Sequence, residues 1–134
     1  MSRGDYNTWN KMRIELNEKI QYFVAKEDKL VIENAKKAIA ETYFLMGNKK
    51  KGEDLFESYL KDNTEWGWGW IGWSDQYWLC KRENSDYIQG EKLLQKALNI
   101  PSLKDRNSVE DRLLELYSES EQEEKLIVLE KKLK

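Results

Sequence analysis

Apolar residues recur at intervals of three and four along almost the whole chain: Trp9, Met12, Leu16, Ile20 and Phe23, then Leu30, Ile39, Tyr43 and Met46. That is the spacing of one face of an α-helix, and no segment alternates with period two over a useful length. Start and stop signals divide the pattern into about seven helices, over 7–25, 29–46, 49–61, 65–81, 86–98, 106–119 and 121–133. Asp28, Asn48, Thr64 and Asp86 stand where a side-chain oxygen can accept from the first free backbone N–H groups of a helix. Ser120 and Glu123 have the spacing of a capping box ahead of the last helix. Gly47-Asn48 marks a turn, and Pro101, the only proline, falls between two helical patterns, where it ends one and redirects the chain. Short connections predict antiparallel neighbours.

The pattern also repeats. Ile39 and Tyr43 return as Trp73 and Tyr77, each 34 residues later, and Gly52, Phe56 and Tyr59 return as Gly90, Leu94 and Ala97 at a spacing of 38. The longer interval arises from Lys81-Arg82-Glu83-Asn84-Ser85, which extends the turn. A third copy is weaker: Leu113 and Tyr117 keep the four-residue spacing, and Leu126, Leu129 and Leu133 supply its second helix.

On these residues the chain resembles the tetratricopeptide repeats, whose unit is a helix–turn–helix of about 34 residues. Ala38-Ile39-Ala40-Glu41-Thr42-Tyr43-Phe44-Leu45-Met46-Gly47-Asn48 carries the small residue, tyrosine and turn glycine of the family's first helix. Asp86 to Pro101 resembles its second helix and closing proline, with Gly52 and Gly90 where the family usually has alanine and Ser74 at an expected small helix-contact position. The resemblance implies an all-α right-handed superhelix of antiparallel helix pairs. It would form a single domain over 1–134, with an extra N-terminal helix in 7–28 and pairs over 29–64, 65–104 and 105–134. Trp-Gly-Trp-rich helices also resemble the helical part of bacterial SEC-C-motif proteins; no Cys-rich metal-binding tail of that kind is present in the sequence, so no metal function is implied.

Glu65-Trp66-Gly67-Trp68-Gly69-Trp70-Ile71-Gly72-Trp73-Ser74-Asp75 concentrates four of the six tryptophans. Gly67, Gly69 and Gly72 spell the dinucleotide-binding fingerprint, but that motif works only where a strand feeds a glycine turn onto a helix, and a helix end precedes it here. On a helix, Trp66, Trp70, Trp73 and Tyr77 share one face, expected to be core, with Gly69, Gly72 and Ser74 giving relief between the rings. Trp68, Ile71, Asp75 and Trp78 form a second face about 130° around.

In the resembled family that second side lines a concave groove for a partner segment. The repeat shift then assigns Asn34, Lys37, Glu41 and Phe44 to the groove from the earlier copy, and Ser108, Asp111, Glu115 and Ser118 from the later one. Large rings beside carboxylates have the composition of a binding hot spot. The same face is also open to burial by the N-terminal helix or by a second copy of the chain.

Composition narrows the chemistry. The chain of 134 residues has no histidine and one cysteine, Cys80, which removes Ser-His and Cys-His nucleophile arrangements and any intrachain disulfide framework. Cys80 reads as a small, semi-buried filler. Acidic pairs such as Glu53-Asp54, Glu110-Asp111 and Glu123-Glu124 lack the order of a calcium loop. Net charge is -2, with acidic neighbours around the tryptophans, which disfavours nucleic acid. No apolar run approaches a membrane span, and no secretory signal is apparent, so a cytoplasmic setting is expected.

The expectation is therefore a non-catalytic protein-interaction module without cofactor or metal, monomeric or homodimeric. It would dock a basic or amphipathic segment with Trp68, Ile71, Trp78 and Phe44 as anchors and Glu41, Asp75, Asp111 and Glu115 as charged flank. The alternatives are a small-molecule or carbohydrate-binding protein using the tryptophan face, and a self-assembling structural dimer.

Overall fold

A computed structural model describes residues 3–24, 28–81 and 85–133, with side chains from Tyr6 onward. Among the described residues it holds seven α-helices and no strand: α1 (Arg3–Phe23), α2 (Lys29–Leu45), α3 (Lys49–Asp62), α4 (Gly67–Asp75), α5 (Tyr87–Leu98), α6 (Arg106–Glu119) and α7 (Glu123–Leu133). The chain divides into two compact units, Met1–Lys61 and Asp62–Lys134.

In the first unit α1 packs on α2. The face it buries is not the expected one. Asn10 and Ile14 are buried and Asn17 and Gln21 half-buried, whereas Trp9, Met12, Leu16 and Phe23 are exposed. Periodicity locates an apolar stripe but does not say what covers it, and here α2 covers the neighbouring face. The α2–α3 turn is as expected: Gly47 takes φ +82°, and the Asn48 N–H donates to the Tyr43 carbonyl at 2.9 Å, closing α2 with a left-handed glycine. Phe44 of α2 lies against Phe56 of α3, ring centroids 6.1 Å apart.

In the second unit α4 packs against both α5 and α6, and α6 against both α5 and α7. Asp86 caps α5 by accepting from the Gln89 N–H at 3.0 Å. Trp66, not Thr64, occupies the cap position of α4, and Asp28 makes no side-chain cap bond to α2. The capping box before α7 does not form. Ser120 Oγ donates back to the Leu116 carbonyl at 2.7 Å, and Glu121 takes φ 59° while the Gln122 N–H reaches the Tyr117 carbonyl, so this turn finishes α6. The main boundary difference is α4, expected over 65–81 but ended at Asp75. From Gln76 to Cys80 the chain continues as turns, with the Cys80 N–H reaching back to the Asp75 carbonyl at 2.9 Å.

Candidate functional site

The tryptophan stretch is the spine of the second unit. Trp66, Trp70 and Tyr77 are buried, as expected for the core face. Trp73 is half-buried, stacks on Trp70 with centroids 6.3 Å apart, and donates its Nε1–H to Tyr77 Oη at 3.0 Å. The glycines serve packing. A Cβ on Gly67 would run into the Lys104 carbonyl oxygen, where the Lys104 N–H also donates to the Glu65 carbonyl at 2.8 Å. A Cβ on Gly69 would run into the Trp66 ring. Close approach of backbone and ring accounts for Gly67 and Gly69 without a phosphate.

The expected groove face is largely consumed by the fold. Ile71 and Trp78 are each 1% exposed, so neither is an anchor for a partner. Two physical reasons account for this. Packing of α4 against both α5 and α6 covers more than one of its faces. Beyond Asp75 the chain leaves the helix, so projecting Trp78 at 100° per residue no longer locates it. Its indole lies over Gly90, tilts against Tyr87 at 6.1 Å, and donates Nε1–H to Ser74 Oγ at 3.1 Å. Ser74 Oγ in turn donates to the Gly90 carbonyl at 2.9 Å. Only Trp68 keeps substantial exposure, at 38%.

Asp75 is likewise engaged. Arg112 Nη1 lies 3.0 Å from its Oδ2, with both side chains mostly buried, and Arg112 Nε lies 3.6 Å from Glu115. The carboxylate expected to attract a basic segment is therefore neutralised by the chain's own guanidinium. Helices α4 and α6 adjoin, so Asp75 meets a residue 37 positions on. The repeat shift selected Asp111, which is exposed, one residue from the partner that Asp75 finds. Glu115, Ser108 and Ser118 remain at least partly accessible.

The remaining groove residues belong to the first unit. Asn34 is exposed, and Lys37 and Glu41 are half-buried. Burial raises the Glu41 carboxyl above its ordinary value, opposed by the nearby charges of Lys37 and Arg13. Phe44 is taken up by the α2–α3 hairpin, where it fills the space over Gly52. Cys80 is exposed rather than a filler, with Gln76 Nε2 3.7 Å from its sulfur.

A surface outside the expected set is better formed. Helices α5, α6 and α7 enclose an open cleft of about 640 Å3. Leu98, Leu113, Val128, Leu129 and Leu133 give it an apolar lining, and Glu91, Arg106, Glu110, Glu124, Lys125 and Lys132 contribute charges of both signs. At one end Tyr117 Oη donates to Glu91 at 2.9 Å and accepts from Gln95 Nε2 at 2.9 Å, while Lys125 Nζ lies 3.2 Å from Glu91. Burial and the bond to Glu91 push the Tyr117 hydroxyl up to about 12, so it stays a neutral donor. Helix α7 carries Leu126, Ile127, Val128, Leu129 and Leu133, yet no residue of it is buried. The signal for this cleft was the spacing of Leu126, Leu129 and Leu133, apolar side chains on a helix none of whose residues is buried.

Among the described residues no group of three or more Cys, Asp or Glu side chains could hold a metal ion, and no helix is long and apolar enough to cross a membrane. The chain matches no family model, no curated protein and no solved structure.

Proposed function

We propose that the chain is a non-catalytic protein-interaction module whose second unit receives an amphipathic segment of a partner protein in the α5–α6–α7 cleft. One observation carries this reading. Helix α7 presents Val128, Leu129 and Leu133 to an open cleft instead of burying them, with Val128 62% exposed. Apolar surface left uncovered along a helix marks an interaction site. The mixed charges around the cleft fit a segment with one apolar stripe and polar flanks better than a purely basic one. The absence of histidine from the sequence removes the commonest general base, which favours binding over catalysis.

The test is site-specific photocrosslinking in cells from position 128, with position 68 as comparison, followed by binding of the crosslinked segment as a synthetic peptide. A peptide that binds wild type and loses at least tenfold in affinity against Leu129→Glu supports the cleft. Crosslinks formed from position 68 alone, or peptide binding indifferent to Leu129→Glu, would move the site elsewhere.

A further inference from the structure

Helix α1 is turned outward. It lays Asn10 and Ile14 against the unit and leaves Trp9, Met12 and Leu16 each 60% exposed, with Phe23 81% exposed. Trp9, Leu16 and Phe23 are spaced by seven, with Met12 between the first two, which is the seam of a helix pair rather than scattered surface apolarity. We infer that this stripe is an isologous interface on which α1 of a second copy packs antiparallel about a two-fold axis near Leu16.

Area and charge both select that occupant. Each aromatic ring carries about 150–250 Å2, so the stripe with the adjoining Tyr22 exposes on the order of 700 Å2. That is close to the roughly 800 Å2 per partner of a standard interface. At 100° per residue Glu15 and Lys19 fall on one side of the stripe and Arg13 and Ile20 on the other. An antiparallel pair brings like flanks together. With the crossing near Leu16, Glu15 comes within reach of the partner's Lys19, and the two-fold axis repeats the contact. Trp9 then lies over the partner's Phe23. A parallel pair would set Glu15 against the partner's Ile20 and lose both ion pairs. The antiparallel orientation is therefore the one that offers ion pairs across the seam, two for each approach of the paired Glu15 carboxylates.

This interface is separate from the cleft on the second unit, and the two stand or fall independently. Sedimentation equilibrium of the full chain across micromolar concentrations should show the two-chain mass. Leu16→Glu, at a position exposed in the single chain, should raise the dissociation constant on the order of a hundredfold. Glu15→Lys and Lys19→Glu should each weaken the dimer on the order of tenfold, and the two together should restore it. A wild-type chain that stays at one-chain mass, or a dimer unmoved by Leu16→Glu, overturns the interface. Charge swaps that do not compensate overturn the antiparallel arrangement, and this arm remains decisive should Leu16→Glu fail to fold.

Discussion

Trp78 occupies the space that a side chain at position 90 would need: a Cβ on Gly90 would lie 2.5 Å from Trp78 Cδ1. The same relationship occurs in the first unit, where a Cβ on Gly52 would lie 2.5 Å from Phe44 Cδ2. Phe44 and Trp78 are 34 residues apart, so both glycines answer to one cause, an oversized ring packed against their backbone. Gly90→Ala should cost about 1–3 kcal/mol through overpacking, less up to about 1 kcal/mol regained in helix propensity. Gly52→Ala should cost less, because Phe44 is half-buried and can swing away, leaving the Ala40 carbonyl oxygen at 3.0 Å as the remaining tight contact, whereas Trp78 is held by its bond to Ser74. Urea unfolding of the two variants gives the comparison, and an equal or reversed order would refute it.

Arg112 is the counter-ion that lets Asp75 be buried between α4 and α6. Arg112→Met should destabilise the second unit by about 2 kcal/mol, since it strands a carboxylate that is largely out of water. Adding Asp75→Leu should recover most of the loss, because the pair's net worth is much smaller than the cost of breaking it. Tryptophan fluorescence during denaturation follows the unit directly, and a double variant no better than the single would show that the pair itself supplies the stability.

Asn10 is 2% exposed, and its Nδ2 has no hydrogen-bond acceptor among the described residues. Replacing a buried, unsatisfied amide by an apolar group of similar size is favourable, so Asn10→Leu should stabilise the first unit by about 1 kcal/mol. Slower hydrogen exchange in α1 and α2 is the expected readout; faster exchange would mean that the amide is satisfied in solution.

Glu41 should make the first unit more stable in acid. Its carboxyl is raised by burial, so between its ordinary value and the raised one the folded chain holds a proton that the unfolded chain has released. The stabilisation is complete below the ordinary value and is lost as pH rises through the raised one. At neutral pH the buried charge is therefore a burden. Glu41→Gln should raise the melting temperature at pH 7, and its advantage over wild type should shrink as the pH falls through that window. A constant difference from pH 7 to pH 4 would contradict this.

The helical character of the chain, the positions of six of its seven helices to within a few residues, the Gly47 turn and the Asp86 cap were all legible in the sequence. Each rests on local chemistry: spacing along a helix, a left-handed glycine, a side chain bonded to a backbone N–H within three residues. The burial of Trp66, Trp70 and Tyr77 was legible for the same reason. Which apolar faces are covered was decided by the tertiary structure. Trp78 and Ile71 left the expected groove because α4 stops at Asp75 and is packed by two helices. Arg112 took Asp75 because the contact crosses 37 residues of sequence. The stripe of α1 and the leucines of α7 stayed open although their periodicity matches that of buried helices. Periodicity belongs to one segment, whereas burial belongs to a pair of segments.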